Sequence, residues 1–282
     1  MNKLPDKDLD PHTFADLKKW FSSYVQDVMD RHPDTRHALK LKEDHTFRVC
    51  EEIVGIGREL ALEGSALLLA EICALLHDVG RFEQFARYRT FGDHRSVNHG
   101  EWGVKILQEK GVLKNLDQTL QDVILKSILY HNRPSLPAKE SESVLFFARL
   151  LRDADKLDIW RIMTESFREK KNQYGGDPGV AFGLPDSPEI SEPIYHNLIN
   201  GRVADVACLK TMTDYKLLLA GLVYDVNFIP TFQRVMERRY LDIIRETLPL
   251  EDRVREIYSV VESFLREKST GSKRENHHDR MV

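Results

Sequence analysis

His77 and Asp78 end an apolar run, Ala66 to Ala70 and Ile72 to Leu76, with an imidazole and a carboxylate side by side. The run reads as a helix buried on most sides, so the pair at its end is expected to be desolvated. A desolvated carboxylate is costly unless it is paired, protonated or bound to a metal. Three more histidines hold similar places. His45 opens the stripe Val49, Ile53, Ile56 and Leu60, His99 precedes Gly103 and Ile106, and His131 follows Leu120, Ile124 and Ile128. Each stands at the end of an apolar face, so helices packed around one core would gather all of these imidazoles in one pocket. Taken singly, each is more often a satisfied core or capping residue. Together with Asp78 and Asp155 they make a nitrogen and oxygen cluster suited to first-row divalent metals. Such a ligand set exceeds what one catalytic zinc ordinarily takes, so two ions are the expectation.

The elements that must position these groups are helical. Phe14, Leu17, Phe21, Tyr24, Val25 and Val28 recur at steps of three and four, giving a first helix that stops near His32-Pro33. A second is expected from about His45, followed by the buried helix, with Gly80 letting the chain leave it. Phe82 to Asn98, with Phe85, Arg87, Tyr88, Arg89, Phe91, His94 and Arg95, reads as an aromatic and basic loop able to lie over an anionic ligand. Asn98 is an N-cap for a helix that stops at Gly111; further helices are expected over Thr119 to His131 and from Ser143 past Ile162, the last one central. Gly175 to Pro193 holds the densest set of breakers. The expected organisation is a metal-bearing core over 1–170, a loop or lid over 171–201, helices over 202–268 that pack on the core, and a disordered tail over 269–282. Leu217 to Val226, Phe228 to Leu248 and Val254 to Leu265 supply those later helices.

The chain has 282 residues, 41% hydrophobic and 30% charged, as in globular proteins with a sizeable core. A formal net charge of -4 gives no electrostatic reason to expect nucleic acid or an acidic membrane as partner. Arg234, Arg238 and Arg239 read as a solvated face. Cys50, Cys73 and Cys208 are widely spaced apolar fillers without a CxxC, which suits a reducing, cytoplasmic location. Residues 1–10 lack the apolar centre of a signal peptide, and no apolar run is long enough to span a bilayer. Gly55 and Gly57 lie in a helical stripe without the third glycine of a dinucleotide fingerprint, and there is no P-loop pattern.

The ordered set His45, His77-Asp78 and Asp155, with the contexts His-Asp-Val-Gly-Arg and Arg-Asp-Ala-Asp-Lys-Leu-Asp, resembles the HD superfamily of metal-dependent phosphohydrolases over about His45 to Asp158. The resemblance implies an all-α fold, an HD-domain helical bundle with additional C-terminal helices. It implies that His45, His77, Asp78 and Asp155 bind a metal. It also implies that His99 and His131 hold a second ion bridged by Asp78, with His94 a competitor for the place of His99. Asp155 and Asp158 share a helix face with Phe147 and Leu151, whereas Asp153 lies with Phe146, Leu150 and Leu157, so periodicity leaves the last aspartate open. The Ala-Asp-Lys-Leu context favours Asp155, with Asp158 behind it or at the substrate.

The expected chemistry is cleavage of a phosphomonoester or phosphodiester in a nucleotide or related small metabolite by metal-activated water. Arg81 stands where the family often carries a basic residue and would stabilise phosphoryl oxygens; Glu83 would position water or leaving group. His94, Arg95, Asn132 and Asp158, with Arg89 and Arg133 behind them, are the candidates to line the substrate pocket, while Lys156 is expected to pair with an acid. Imidazole and carboxylate suit Mn, Fe, Co, Ni, Zn and Mg alike. Two other readings stand beside the hydrolase: a sensor that binds a nucleotide without turnover, and a di-iron oxidase on the same scaffold. The partner is a small phosphoester, no membrane is expected, and the oligomeric state is open.

Overall fold

The apolar run forms helix α3 (Gly64–Leu76), whose residues from Leu69 to Leu76 are buried except for the half-exposed Glu71. In the computed structural model, which describes residues 9–169 and 183–271, α3 packs against α1 (Pro11–Arg31), α2 (Arg36–Glu59), α6 (Gln118–His131) and α7 (Glu142–Glu169). A helix touched from so many directions has no polar face to spare, which is why its sequence is almost uniformly apolar. α2 and α6 also pack on α7, whose Phe147, Leu151 and Trp160 are fully buried. Phe21 of α1 meets Phe47 and Phe82 edge-on at centroid distances of 5.8 and 5.6 Å, joining α1 to α2 and to α4 (Val79–Tyr88). Burying side chains of this size contributes about 1.5–3 kcal/mol each.

Among the described residues there is no strand, in keeping with the all-α expectation. The chain divides into two compact units, Met1–Pro185 and Asp186–Val282. The second has its own core, in which α12 (Asp252–Ser269) packs on α8 (Glu192–Ile199) and α10 (Ile229–Glu237), while α9 (Met212–Gly221) meets α8 and α11 (Tyr240–Arg245). Buried Asp214 accepts hydrogen bonds from the Ser191 amide and hydroxyl and from the Lys210 amide, fixing the start of α9.

Several boundaries differ from expectation. α2 begins at Arg36, so His45 sits in mid-helix rather than opening it. The stretch expected as a loop from Phe82 starts as helix: α4 runs to Tyr88, and only Arg89 to Asn98 is irregular, with a short 3-10 turn over Asp93–Arg95. Gly80 therefore lies inside α4 and does not end a helix. The segment expected as one loop or lid over 171–201 is divided: 170–182 fall outside the described residues, whereas Glu192–Ile199 is helix α8 of the second unit. The run Phe228 to Leu248 is two helices, broken where Arg239 takes a left-handed φ of 56° and pairs with Asp242. The expected tail falls mostly on 272–282, outside the described residues. Among the described residues no helix is long and apolar enough to cross a membrane.

Candidate metal centre

His77 and Asp78 are the two residues left between the end of α3 and the start of α4. His77 keeps helical dihedrals and Asp78 takes φ -100° and ψ 14°, so the chain turns without leaving the core and both side chains stay buried. His45 comes to them from α2, Asp155 from α7, His131 from the last turn of α6 and His99 from the first turn of α5 (His99–Glu109).

Asp78 divides the histidines. Its Oδ2 lies 3.5 Å from His45 Nε2 and 3.4 Å from His77 Nε2. Its Oδ1 lies 3.4 Å from His99 Nε2 and 3.8 Å from His131 Nε2. Asp155 Oδ1 closes the first group, 3.1 Å from His45 Nε2 and 3.8 Å from His77 Nε2. Three sets of possible ligands overlap here: His45, His77 and Asp78; His77, His131 and Asp155; Asp78, His99 and His131.

The far nitrogen of each ring is tied down. Nδ1 of His45 meets Asp158 Oδ2 at 2.7 Å, that of His77 the Ala74 carbonyl at 2.7 Å, that of His99 Asp93 Oδ2 at 2.8 Å, and that of His131 the Ile128 carbonyl at 2.6 Å. Each of these oxygens only accepts, so each Nδ1 carries the proton and each neutral ring turns an Nε2 lone pair inward. The consequences are visible. Nε2 of His45 and of His77 is buried without a hydrogen-bond partner. The Nε2 atoms of His99 and His131 face each other at 2.9 Å. Lone pairs so arranged, beside two carboxylates, repel unless a proton or a cation lies between them. The donor set thus fits divalent ions, with ring orientation set from behind as metal-binding histidines require.

The carboxylates and two of the imidazoles agree with that fit. Burial raises the Asp78 carboxyl, but Lys42 and His77 outweigh it and hold the group well below the usual range. Burial opposes Asp155 too, and His45 with His77 keeps it low. Burial, then the neighbouring His99 and His77, pushes His131 well down, and burial with Arg81 lowers His99. His77 goes the other way, because Asp78 and Asp155 more than offset its burial. Ionised carboxylates beside neutral imidazoles are what a divalent ion binds.

Glycines permit the approach. A Cβ on Gly80 would lie 2.2 Å from the His99 carbonyl oxygen and 2.8 Å from the Gly103 nitrogen, so α4 and α5 are in backbone contact there. A Cβ on Gly100 would meet Asn132 Oδ1 at 2.8 Å and the Ile128 carbonyl oxygen at 3.0 Å. Arg152 of α7 donates to the carbonyls of Tyr130, His131 and Arg133 at 3.0, 3.0 and 2.6 Å, satisfying the open end of α6 where His131 sits.

The structure brings together His45, His77, Asp78, His99, His131 and Asp155, and places the other expected site residues behind, beside or away from that cluster. Asp158, one turn beyond Asp155, grips the back of His45 and accepts two bonds from Arg48 at 2.6 and 3.0 Å. Arg81 Nε is buried 3.6 Å from Asp78 Oδ1 with no hydrogen-bond partner, but its Nη1 is given to Asp93 and Gln84 at 2.8 Å each and to the Phe91 carbonyl. Glu83 turns to Arg31 and Arg87, at 2.7 and 3.1 Å. Asn132 donates to Asp93 and Asn98 at 2.9 and 3.0 Å, while His94 and Arg95 are exposed on the 3-10 turn. Arg89 pairs with Asp34 at 2.6 Å, and Lys156 donates to the Arg152 carbonyl at 3.3 Å.

Two residues had no part in the sequence reading. Asp93 accepts from His99, Arg81, Gln84 and Asn132, and these donors outweigh its burial to hold its carboxyl below the usual range. Nothing in its neighbourhood in sequence marks it, because its partners come from α4, from α5 and from the residue that follows α6. Lys42 lies three residues before His45, a spacing that signals a shared face only if the helix is known to begin before it. Asp93→Asn is expected to keep the fold and weaken divalent-ion affinity about 10- to 100-fold, as loss of a carboxylate behind a ligand histidine does. Equilibrium dialysis with Mn²⁺ measures it; a change below about twofold would contradict the role.

A helical bundle with a buried cluster of inward-facing imidazoles and carboxylates defines a helical domain able to hold divalent ions. Residues 43–160 match the family model described as the HD domain, so this part of the chain is an HD domain. The match contains the whole histidine and aspartate cluster and leaves out α1 and the second unit. No curated protein and no solved structure gives a significant match to the chain.

Proposed function

We propose that the chain is a metal-dependent phosphohydrolase that cleaves a phosphomonoester or phosphodiester of a nucleotide or related small metabolite. The observation that carries the proposal is the division at Asp78, whose two oxygens face separate histidine pairs. A carboxylate used in both directions suits two cations and has no evident use in a domain that only binds a nucleotide. His45, His77 and Asp155 would hold one ion and His99 and His131 the other, with Asp78 shared. Bound there, divalent ions supply Lewis acidity that neutralises phosphoryl charge and acidifies water.

The chain's own residues do the rest. Asp158, Asp93 and the carbonyls of Ala74 and Ile128 keep each Nδ1 protonated, so that every Nε2 stays a donor of electrons. Arg81, anchored by Asp93, Gln84 and Phe91, holds the segment after α4 against the cluster and keeps a fixed positive charge beside Asp78. Burial of the cluster strengthens each of these interactions relative to water.

The test is to strip the protein with chelator and reload it with Mn²⁺, Co²⁺ or Ni²⁺. About two ions per chain are expected. Hydrolysis of a generic phosphomonoester or phosphodiester should appear with metal and vanish with chelator. A panel of nucleotides and phosphometabolites then ranks substrates. Tight nucleotide binding with no turnover under any of these metals would favour the sensor, and no uptake of metal would end the proposal.

A further inference from the structure

Two basic side chains stand beside Asp78, and they differ in freedom. Arg81 is fixed by three acceptors through one nitrogen. Lys42 has Asp78 as its one anionic partner among the described residues, its Nζ 2.8 Å from Oδ2, with the Phe91 ring beneath the ammonium at 5.7 Å. Its side chain is 22% exposed against 3% for Asp78, so it reaches the cluster from the solvent side. It also lies one residue outside the span that matches the HD domain.

The oxygen that Lys42 occupies is the one facing His45 and His77. An ammonium and a divalent ion cannot share it closely, because two cations at contact distance in a buried site repel strongly. Lysine, unlike the anchored arginine, has a flexible four-carbon stem and can give up this partner while α2 stays in place. We propose that Lys42 is a substrate-binding residue, whose ammonium neutralises Asp78 in the metal-free protein and passes to phosphoryl oxygens of the substrate when divalent ions take the carboxylate. The inference rests on the metal-centre reading above and adds the residue that receives the phosphate. A static role, in which Lys42 only props Asp78, makes opposite predictions.

The test uses the full chain, Mn²⁺ and inorganic phosphate. For Lys42→Met, Mn²⁺ affinity by equilibrium dialysis should equal or exceed that of the wild type, since a competing cation is gone. Phosphate affinity of the Mn²⁺-loaded variant, by calorimetry, should fall about 10- to 100-fold, the loss expected for one charge-assisted hydrogen bond. A second measurement needs no variant: acylation of Lys42 by an amine-reactive reagent, read by mass spectrometry. It should be slow in metal-free wild type, faster with Mn²⁺, and slow again with Mn²⁺ and phosphate. Unchanged phosphate affinity in the variant, weakened Mn²⁺ uptake, or Lys42 reactivity indifferent to Mn²⁺ and phosphate would each overturn the inference while leaving the metal centre standing. Failure of the wild type to take up Mn²⁺ would overturn both.

Discussion

Asp78→Asn is expected to abolish divalent-ion uptake at both poles of the cluster and to lower phosphoester turnover by at least about 10³-fold. The substitution keeps shape and removes charge. One Asp78 oxygen faces His45 and His77 and the other faces His99 and His131, so a single change withdraws a ligand from each pair. The amide that replaces it can donate only to nitrogens that already lie in a crowded array, and it cannot neutralise a divalent ion. Stability gives an independent reading. Metal at 100 times its dissociation constant should stabilise the wild type by about 2.7 kcal/mol, which raises the Tm of a unit this size by about 5–10 °C. The variant should show no such rise. An Asp78→Asn protein that is stabilised by Mn²⁺ as strongly as the wild type would falsify the assignment of Asp78 as the shared ligand.

Gly80→Ala is expected to cost about 3 kcal/mol, lowering Tm by about 6–12 °C, because the added methyl overpacks a contact between backbones. Its Cβ would stand 2.2 Å from the His99 carbonyl oxygen and 2.8 Å from the Gly103 nitrogen, and neither atom belongs to a side chain that can rotate away. α4 and α5 must therefore separate. That movement carries His99 away from Asp78 Oδ1, now 3.4 Å from its Nε2, so the His99 and His131 pole should lose affinity while the His45 and His77 pole keeps most of its own. Thermal unfolding of the metal-free protein reads the first effect and Mn²⁺ stoichiometry the second. A variant within about 1 kcal/mol of wild type, taking up a full complement of Mn²⁺, would mean that the helices do not meet at Gly80 as described.

The sequence carried a good deal of this. Helices α1, α3, α5, α6 and α7 are legible because each either has a clear apolar stripe or, for α3, almost no polar residue, and their ends carry readable signals such as Asn98, whose side chain accepts from the Glu101 amide. The order His45, His77-Asp78, His99, His131 and Asp155 pointed to the residues that the fold gathers. The first part of α2 is not legible, because Arg36 to Asp44 holds Leu39 as its one buried apolar side chain and so shows no stripe. Lys42 lies in that part. α4 is less legible because its buried face includes Glu83 and Gln84, polar groups whose burial is tolerable because Arg87 of the same helix and Arg31, Asp93 and Ser96 from elsewhere reach them.

By itself, then, the sequence determined that the chain is helical, that its apolar helices end in imidazoles and carboxylates, and which of these residues are of a type to hold divalent ions. Periodicity and ligand chemistry are local properties, and they survive in a string of letters. Only the tertiary structure decided that Asp155 faces the lone pairs while Asp158 sits behind His45, that Asp93 rather than Glu83 contacts a ring of the cluster, that Gly80 serves a helix contact, and that Lys42 stands on the Asp78 oxygen that faces His45 and His77. Each of those depends on distances between residues far apart in the chain. Such distances are set by how side chains of different helices fill one another's space, which no single segment encodes.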